Sequence, residues 1–116
     1  MTQIEQLTLT VGIVDRGKGE NMTAIARELG VRRATILLGL GTANSEILDY
    51  LGLGETEKDV VLMGIPEALR ERLFAVLTER MQLDQPGHGI LFCVPMTAIG
   101  GLRAMGMLMG DKEGTR

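Results

Sequence analysis

Residues 39–57, GLGTANSEILDYLGLGETE, separate two apolar runs that read as neighbouring strands. A hairpin connection needs only two to five residues. This one is far longer and carries glycines at both ends. A loop of that length inside a small domain is usually functional or disordered. Ile47, Leu48, Tyr50, Leu51 and Leu53 make its interior apolar, which is not the composition of a disordered segment. The reading is an ordered or partner-ordered functional loop. Asn44 or Ser45 can cap a short helix through Leu51, with Gly52 ending it.

The runs on either side give the fold class. Residues 4–14, IEQLTLTVGIV, alternate, with Leu7, Leu9, Val11 and Ile13 set against Thr8, Thr10 and Gly12. Period two is the mark of a strand with one more apolar face. Asp15 to Asn21, DRGKGEN, reads as a turn, and Met22, Ile25, Ala26 and Leu29 then fall on one helical face. Gly30 stands where a left-handed cap is expected. Val31–Leu40 is a second strand. Asp59–Gly64 is a third, whose unalternating Val60-Val61-Leu62-Met63 suggests two covered faces. Pro66 suits the first turn of a second helix striped by Leu69, Leu73, Val76, Leu77 and Met81. Gln85-Pro86-Gly87 is a turn, and Ile90–Val94 is a fourth strand stopped by Pro95.

Strand, helix, strand, strand, helix, strand is the ferredoxin-like βαββαβ unit, an α+β fold. Its two helices cover one face of a four-stranded antiparallel sheet. The second, third and fourth strands are nevertheless apolar on both sides. Burying one such side chain is worth about 1.5–3 kcal/mol, so a bare face would be an association surface. Closure of several copies with sheets facing inward answers this. A tail folded over the sheet is the other answer. Residues 1–103 form the domain and 104–116 a C-terminal tail.

Composition narrows the function classes. Aromatics are 3 % and net charge is −3, which disfavours base stacking and phosphate-backbone binding, so nucleic acid is not an expected partner. Cys93 is the single cysteine; it cannot form an intramolecular disulfide or a Cys-based zinc site. It reads as a small core residue in its strand. No apolar run is long enough to span a bilayer and no signal peptide is evident, so membrane insertion is not expected and the cytoplasm is the default location.

Few residues suggest chemistry. Gly87-His88-Gly89 precedes the fourth strand; its amides could approach a phosphate, or it is simply a flexible turn. His88 is the only histidine and reads as a loop residue. Gly17-Lys18-Gly19 reads as a turn, with anion binding at the following helix N-terminus the lesser option. Arg103, amid GGLRAMG, offers a guanidinium fork for phosphate or carboxylate, or a surface salt bridge. No two carboxylates are placed for acid–base work.

GVRRATILLGLGTANSEILDYLGLGETEKDVVLM and PGHGILFCVPMTAIGG together resemble the PII family of signal-transduction proteins, and more closely a short PII-like branch. The resemblance spans about residues 7 to 103. It implies a ferredoxin-like homotrimer in which 39–57 occupies the place of the target-docking T-loop. It implies nucleotide clefts between subunits. By motif, Thr35 matches a threonine near the nucleotide, Gly41 a glycine at the T-loop base and Gly64 a backbone position beside the base. Gly87, His88 and Gly89 match the phosphate loop, and Arg103 the second of two C-terminal arginines. Three charged positions of typical members are Leu40, Ile90 and Gly101 here. Each charge-assisted contact is worth roughly 1.5–3 kcal/mol, so attraction for a triphosphate is reduced.

The leading expectation is a non-enzymatic trimeric regulator. It senses a small anionic effector, an adenine nucleotide being the candidate. Ile47, Leu48, Tyr50 and Leu51 meet a target protein, for which the resemblance suggests a membrane transporter or a metabolic enzyme. The rivals are a trimeric scaffold with no effector, and an acylphosphatase-like hydrolase using Arg16 in DRGKG.

Overall fold

A computed structural model describes residues 7–41 and 56–101. The chain order is β1 (Leu7–Asp15), α1 (Lys18–Glu28), β2 (Thr35–Gly41), β3 (Thr56–Pro66), a single 3-10 turn (Glu67–Leu69), α2 (Arg70–Arg80) and β4 (Ile90–Pro95). The four strands form one sheet in the order β2-β3-β1-β4, and every pair is antiparallel. This is the expected ferredoxin-like α+β architecture. The short helix expected within 44–51 lies outside the described residues.

The helices cover one face. Met22, Ile25 and Ala26 of α1 and Leu73 and Leu77 of α2 pack on Val14, Val61, Met63 and Ile65 of the sheet. In α1 the buried positions 22, 25 and 26 recur at helical spacing, while Glu20, Asn21, Ala24 and Arg27 face outward. α1 starts at Lys18 rather than after Asn21, because Asp59, far along the chain, caps its first turn: the Gly17 and Gly19 amides donate to Asp59 Oδ2 at 2.9 and 3.0 Å. β2 starts at Thr35 rather than Val31. Val31 is instead the buried end of the α1 cap, its amide donating to Ala26 O at 3.1 Å, and Arg32, Arg33 and Ala34 are exposed.

The alternation in β1 is present, but its faces are reversed from the simplest expectation. The polar side, Thr8, Thr10 and Gly12, faces the helices, where Gly12 gives room to the Met22 side chain. Thr8 and Thr10 are both buried. The apolar side, Leu9, Val11 and Ile13, faces away. In register it lies in cross-strand rows: Val94–Leu9–Gly64, Phe92–Val11–Leu62–Thr35 and Ile90–Ile13–Val60–Leu37. This second face is apolar across all four strands. In the isolated chain Leu37, Ile90, Phe92 and Val94 are 47, 54, 40 and 45 % exposed. Among the described residues only one face of β3 is fully covered: Val61, Met63 and Ile65 are buried, whereas Val60 and Leu62 are half-buried.

Candidate functional site

The end of the sheet where β1 stops gathers the loops. Asp15 pairs in register with Lys58, which pairs with Gly39, so the β1–α1 turn, the mouth of the β2–β3 excursion and the start of β4 meet there. Arg16 binds this end together. Its Nη2 donates to Gly39 O at 3.0 Å and to Lys58 O at 3.1 Å, on the two strands that flank the excursion. Its Nε lies 3.1 Å from Asp59 Oδ1, and its Nη1 lies 3.3 Å from Glu57 Oε2. Asp59 is 4 % exposed and spends its other oxygen on the α1 N-terminus. A Cβ at position 19 would come within 2.8 Å of that oxygen, so glycine is required for the close approach. Lys58 in turn pairs with Asp15 at 2.6 Å.

This arrangement fills the Gly17-Lys18-Gly19 cradle from within. The two amides that could have held a phosphate hold a carboxylate of the same chain. Arg16, the arginine an acylphosphatase-like reading requires, is committed to two carbonyls and two carboxylates. The sequence shows neither partnership, because Arg16 and Asp59 are joined by tertiary register alone.

The structure puts some of the expected site residues at one end of the sheet, on opposite edges, and others elsewhere. Gly41 closes β2 at the crowded end. Gly87, His88 and Gly89 lead into β4 at the same end, where Ile90 pairs with Ile13. Gly87 and Gly89 have φ of 83° and 127°, and a Cβ on Gly89 would stand 2.7 Å from Ile13 O, so only glycine lets this loop approach β1. His88 is exposed. Thr35 sits at the far end of β2, about 20 Å from Gly41 along the strand, and is exposed. Gly64 is buried in β3 opposite Leu9, toward the other end of the sheet. Arg103 lies outside the described residues, as do Ile47, Leu48, Tyr50 and Leu51. Leu40, at the mouth of the excursion, is 65 % exposed. Cys93 is half-buried on the helix side of β4, as a core residue would be.

At the other end of the sheet Glu67 is held by two partners. Thr8 Oγ1 donates to Glu67 Oε2 at 2.6 Å and Arg70 Nε donates to Glu67 Oε1 at 2.6 Å. The Thr8 hydroxyl first, and Arg70 second, hold the Glu67 carboxyl below the usual carboxylate range. Among the described residues no helix is long and apolar enough to cross a membrane.

No family model and no curated protein sequence matches the chain. Solved structures do. A DUF3240 family protein from Shewanella baltica matches with a TM-score of 0.64 at 15 % identity, over 86 % of this chain and 97 % of that one. GlnK of B. subtilis, solved as its ATP complex, matches with a TM-score of 0.63 at 14 % identity, over 86 % and 92 %. CPII, a nitrogen regulatory PII-like protein from Thiomonas intermedia bound to ADP, AMP and bicarbonate, matches with a TM-score of 0.59 at 18 % identity, over 76 % and 87 %. The resemblance to PII proteins is thus borne out in three dimensions. The chain has the PII-like fold.

Proposed function

We propose that the chain is a PII-like regulatory protein, a homotrimer that senses a small anionic effector in clefts between subunits and meets a target protein through residues 39–57. The observation that carries this reading is the second sheet face. Leu9, Val11 and Ile13 run down its centre, flanked by Val60, Leu62 and Leu37 on one side and Ile90, Phe92 and Val94 on the other. A continuous apolar surface of this kind is a surface for association.

A ring of copies closes by a head-to-tail interface, in which one edge of a subunit meets the opposite edge of the next. The edges here are β2 and β4, separated by three strand spacings, about 14 Å. Thr35 and Gly41 lie on β2, and the Gly87–Gly89 loop opens β4. Gly41 and the Gly87–Gly89 loop, which one chain holds apart, would come near each other across such a joint, with Thr35 farther along the same edge. The adenine nucleotides in the B. subtilis GlnK and Thiomonas CPII structures make that class of effector the first choice. With Ile90 apolar and more than half exposed where typical members carry lysine, the monophosphate and diphosphate are favoured over the triphosphate.

Calorimetric titration of the purified full chain with AMP, ADP and ATP, beside light scattering for mass, tests the reading. Trimer mass and saturable heat with AMP or ADP are expected. A trimer silent to all three nucleotides supports the effector-free scaffold, which the exposed Leu40 and Ile90 favour. A monomer overturns both.

A further inference from the structure

A concavity lies on the helix layer, away from the apolar sheet face. It is an open cleft of about 490 Å³ between α1 and the end of α2, with His88 of the loop before β4 at its edge. That volume is within the range of about 300–1,000 Å³ typical of small-molecule sites. Ala24, Ile25 and Met81 give it an apolar wall, and Lys18, Asn21, Gln82 and His88 give it polar groups.

The charges lining the cleft balance, but pairing with Lys58 outside it takes up Asp15 and leaves Lys18 over. Asp15 is neutralised by Lys58 at 2.6 Å and Glu28 by Arg80 at 3.0 Å. Among the described residues no carboxylate is within ion-pair distance of Lys18 or His88. An anion is the complement of such a site.

Backbone geometry singles out Gln82. Both helices end in the same cap. In α1 the Val31 amide donates to Ala26 O at 3.1 Å and the Gly30 amide to Arg27 O at 3.1 Å. In α2 the Leu83 amide donates to Thr78 O at 3.0 Å and the Gln82 amide to Glu79 O at 3.3 Å. The residue between the bonds must be left-handed, which favours glycine. In α1 that residue is Gly30, at φ 104°. In α2 it is Gln82, at φ 55°, the one non-glycine with positive φ among the described residues. A glutamine held where glycine is cheaper, on the rim of the cleft, is a strained residue beside a candidate site.

We infer that this cleft binds a small carboxylate that carries an amide and a short apolar group, of the N-acylated amino acid class. The carboxylate pairs with Lys18 beside His88. The amide hydrogen-bonds with the side chains of Gln82 and Asn21. The apolar group lies on Ile25 and Met81.

The test is titration of the isotope-labelled full chain by two-dimensional NMR with N-acetyl-leucine, N-acetyl-glycine and the uncharged N-acetyl-leucinamide. Saturable shifts at Lys18, Gln82 and His88 are expected with N-acetyl-leucine, weaker ones with N-acetyl-glycine and none with the leucinamide. Gln82→Gly is expected to raise the melting midpoint by about 3–6 °C and to weaken N-acetyl-leucine about tenfold. Lys18→Gln is expected to fold normally and to weaken it by at least about tenfold. The inference is overturned if none of the probes gives saturable shifts at these residues. It is equally overturned if both variants bind N-acetyl-leucine as the parent does, or if the leucinamide binds as well as the acid.

Discussion

Phe92 is the sharpest handle on the apolar sheet face. It stands in the row Phe92–Val11–Leu62–Thr35 and is 40 % exposed in the single chain. A phenylalanine presents about 150–250 Å², so about 60–100 Å² of it awaits burial. At about 25 cal/mol per Å² that is about 1.5–2.5 kcal/mol for each subunit, or about 5–7 kcal/mol for a ring of three. Phe92→Asp removes that gain and adds the cost of bringing carboxylates into an apolar interface. The side chain faces away from the helix layer, so the fold of one subunit should survive. Light scattering across a dilution series should show trimer for the parent and monomer for the variant, with unchanged far-ultraviolet circular dichroism. Phe92→Leu, which keeps most of the apolar area, should remain trimeric. A Phe92→Asp protein with full trimer mass would refute the assignment of this face to assembly. A parent that is monomeric would refute the need for assembly altogether.

Three further outcomes follow from single contacts. Arg16→Gln breaks the tie between Gly39 O, Lys58 O and the buried Asp59; with two backbone amides still on Asp59, it should cost about 2–3 kcal/mol and speed amide exchange at 39–41 and 56–59. Thr10 Oγ1 is buried with no hydrogen-bond partner among the described residues, so Thr10→Val, which keeps shape, should stabilise the fold by about 1–2 kcal/mol in chemical denaturation. Glu67 is held below its usual pKa by Thr8 and then Arg70, so its contribution to stability is complete above the ordinary carboxylate range and is lost as pH falls through its folded value. Thr8→Val should therefore be less stable than the parent at neutral pH, with the two stability curves converging in acid; a constant offset down to low pH would count against the Thr8–Glu67 bond.

Local patterns carried the fold a long way. Leu73, Val76 and Leu77 lie on the inward side of the second helix, with Leu73 and Leu77 fully buried, and Leu69 packs on the same core from the 3-10 turn before it. Gly30 takes the left-handed turn its position required. What period two could not decide is which side of β1 meets the helices. Alternation states that two faces differ, not what packs on each. Here the helix side is Thr8, Thr10 and Gly12, because a hydroxyl finds Glu67 there and a missing side chain admits Met22. The apolar side is left half-exposed by the described residues. The start of α1 was likewise invisible locally, since its cap is a carboxylate that only the β1–β3 register brings near.

That cap also decides how the site can work. Sequence reasoning offered two glycine-flanked loops as anion cradles, Gly17-Lys18-Gly19 and Gly87-His88-Gly89. The first has its amides turned onto Asp59, and its arginine is spent on the strand carbonyls at the mouth of 42–55. It is a structural lock that fixes the α1 start to the base of the excursion. The second has no such internal acceptor among its described bonds, apart from the His88 amide on Gln85 O at 3.3 Å. An effector binding at this end of the sheet therefore has one set of uncommitted backbone donors to use, at the mouth of an edge strand. In the proposed ring, a ligand seated there would touch β4 of its own subunit and β2 of the next. The strand it would reach is the one that leads into the excursion, so occupancy and the set of that loop share a single element. A switch needs the ligand to favour one arrangement over another. Arg16 supplies the fixed point against which such a preference can act.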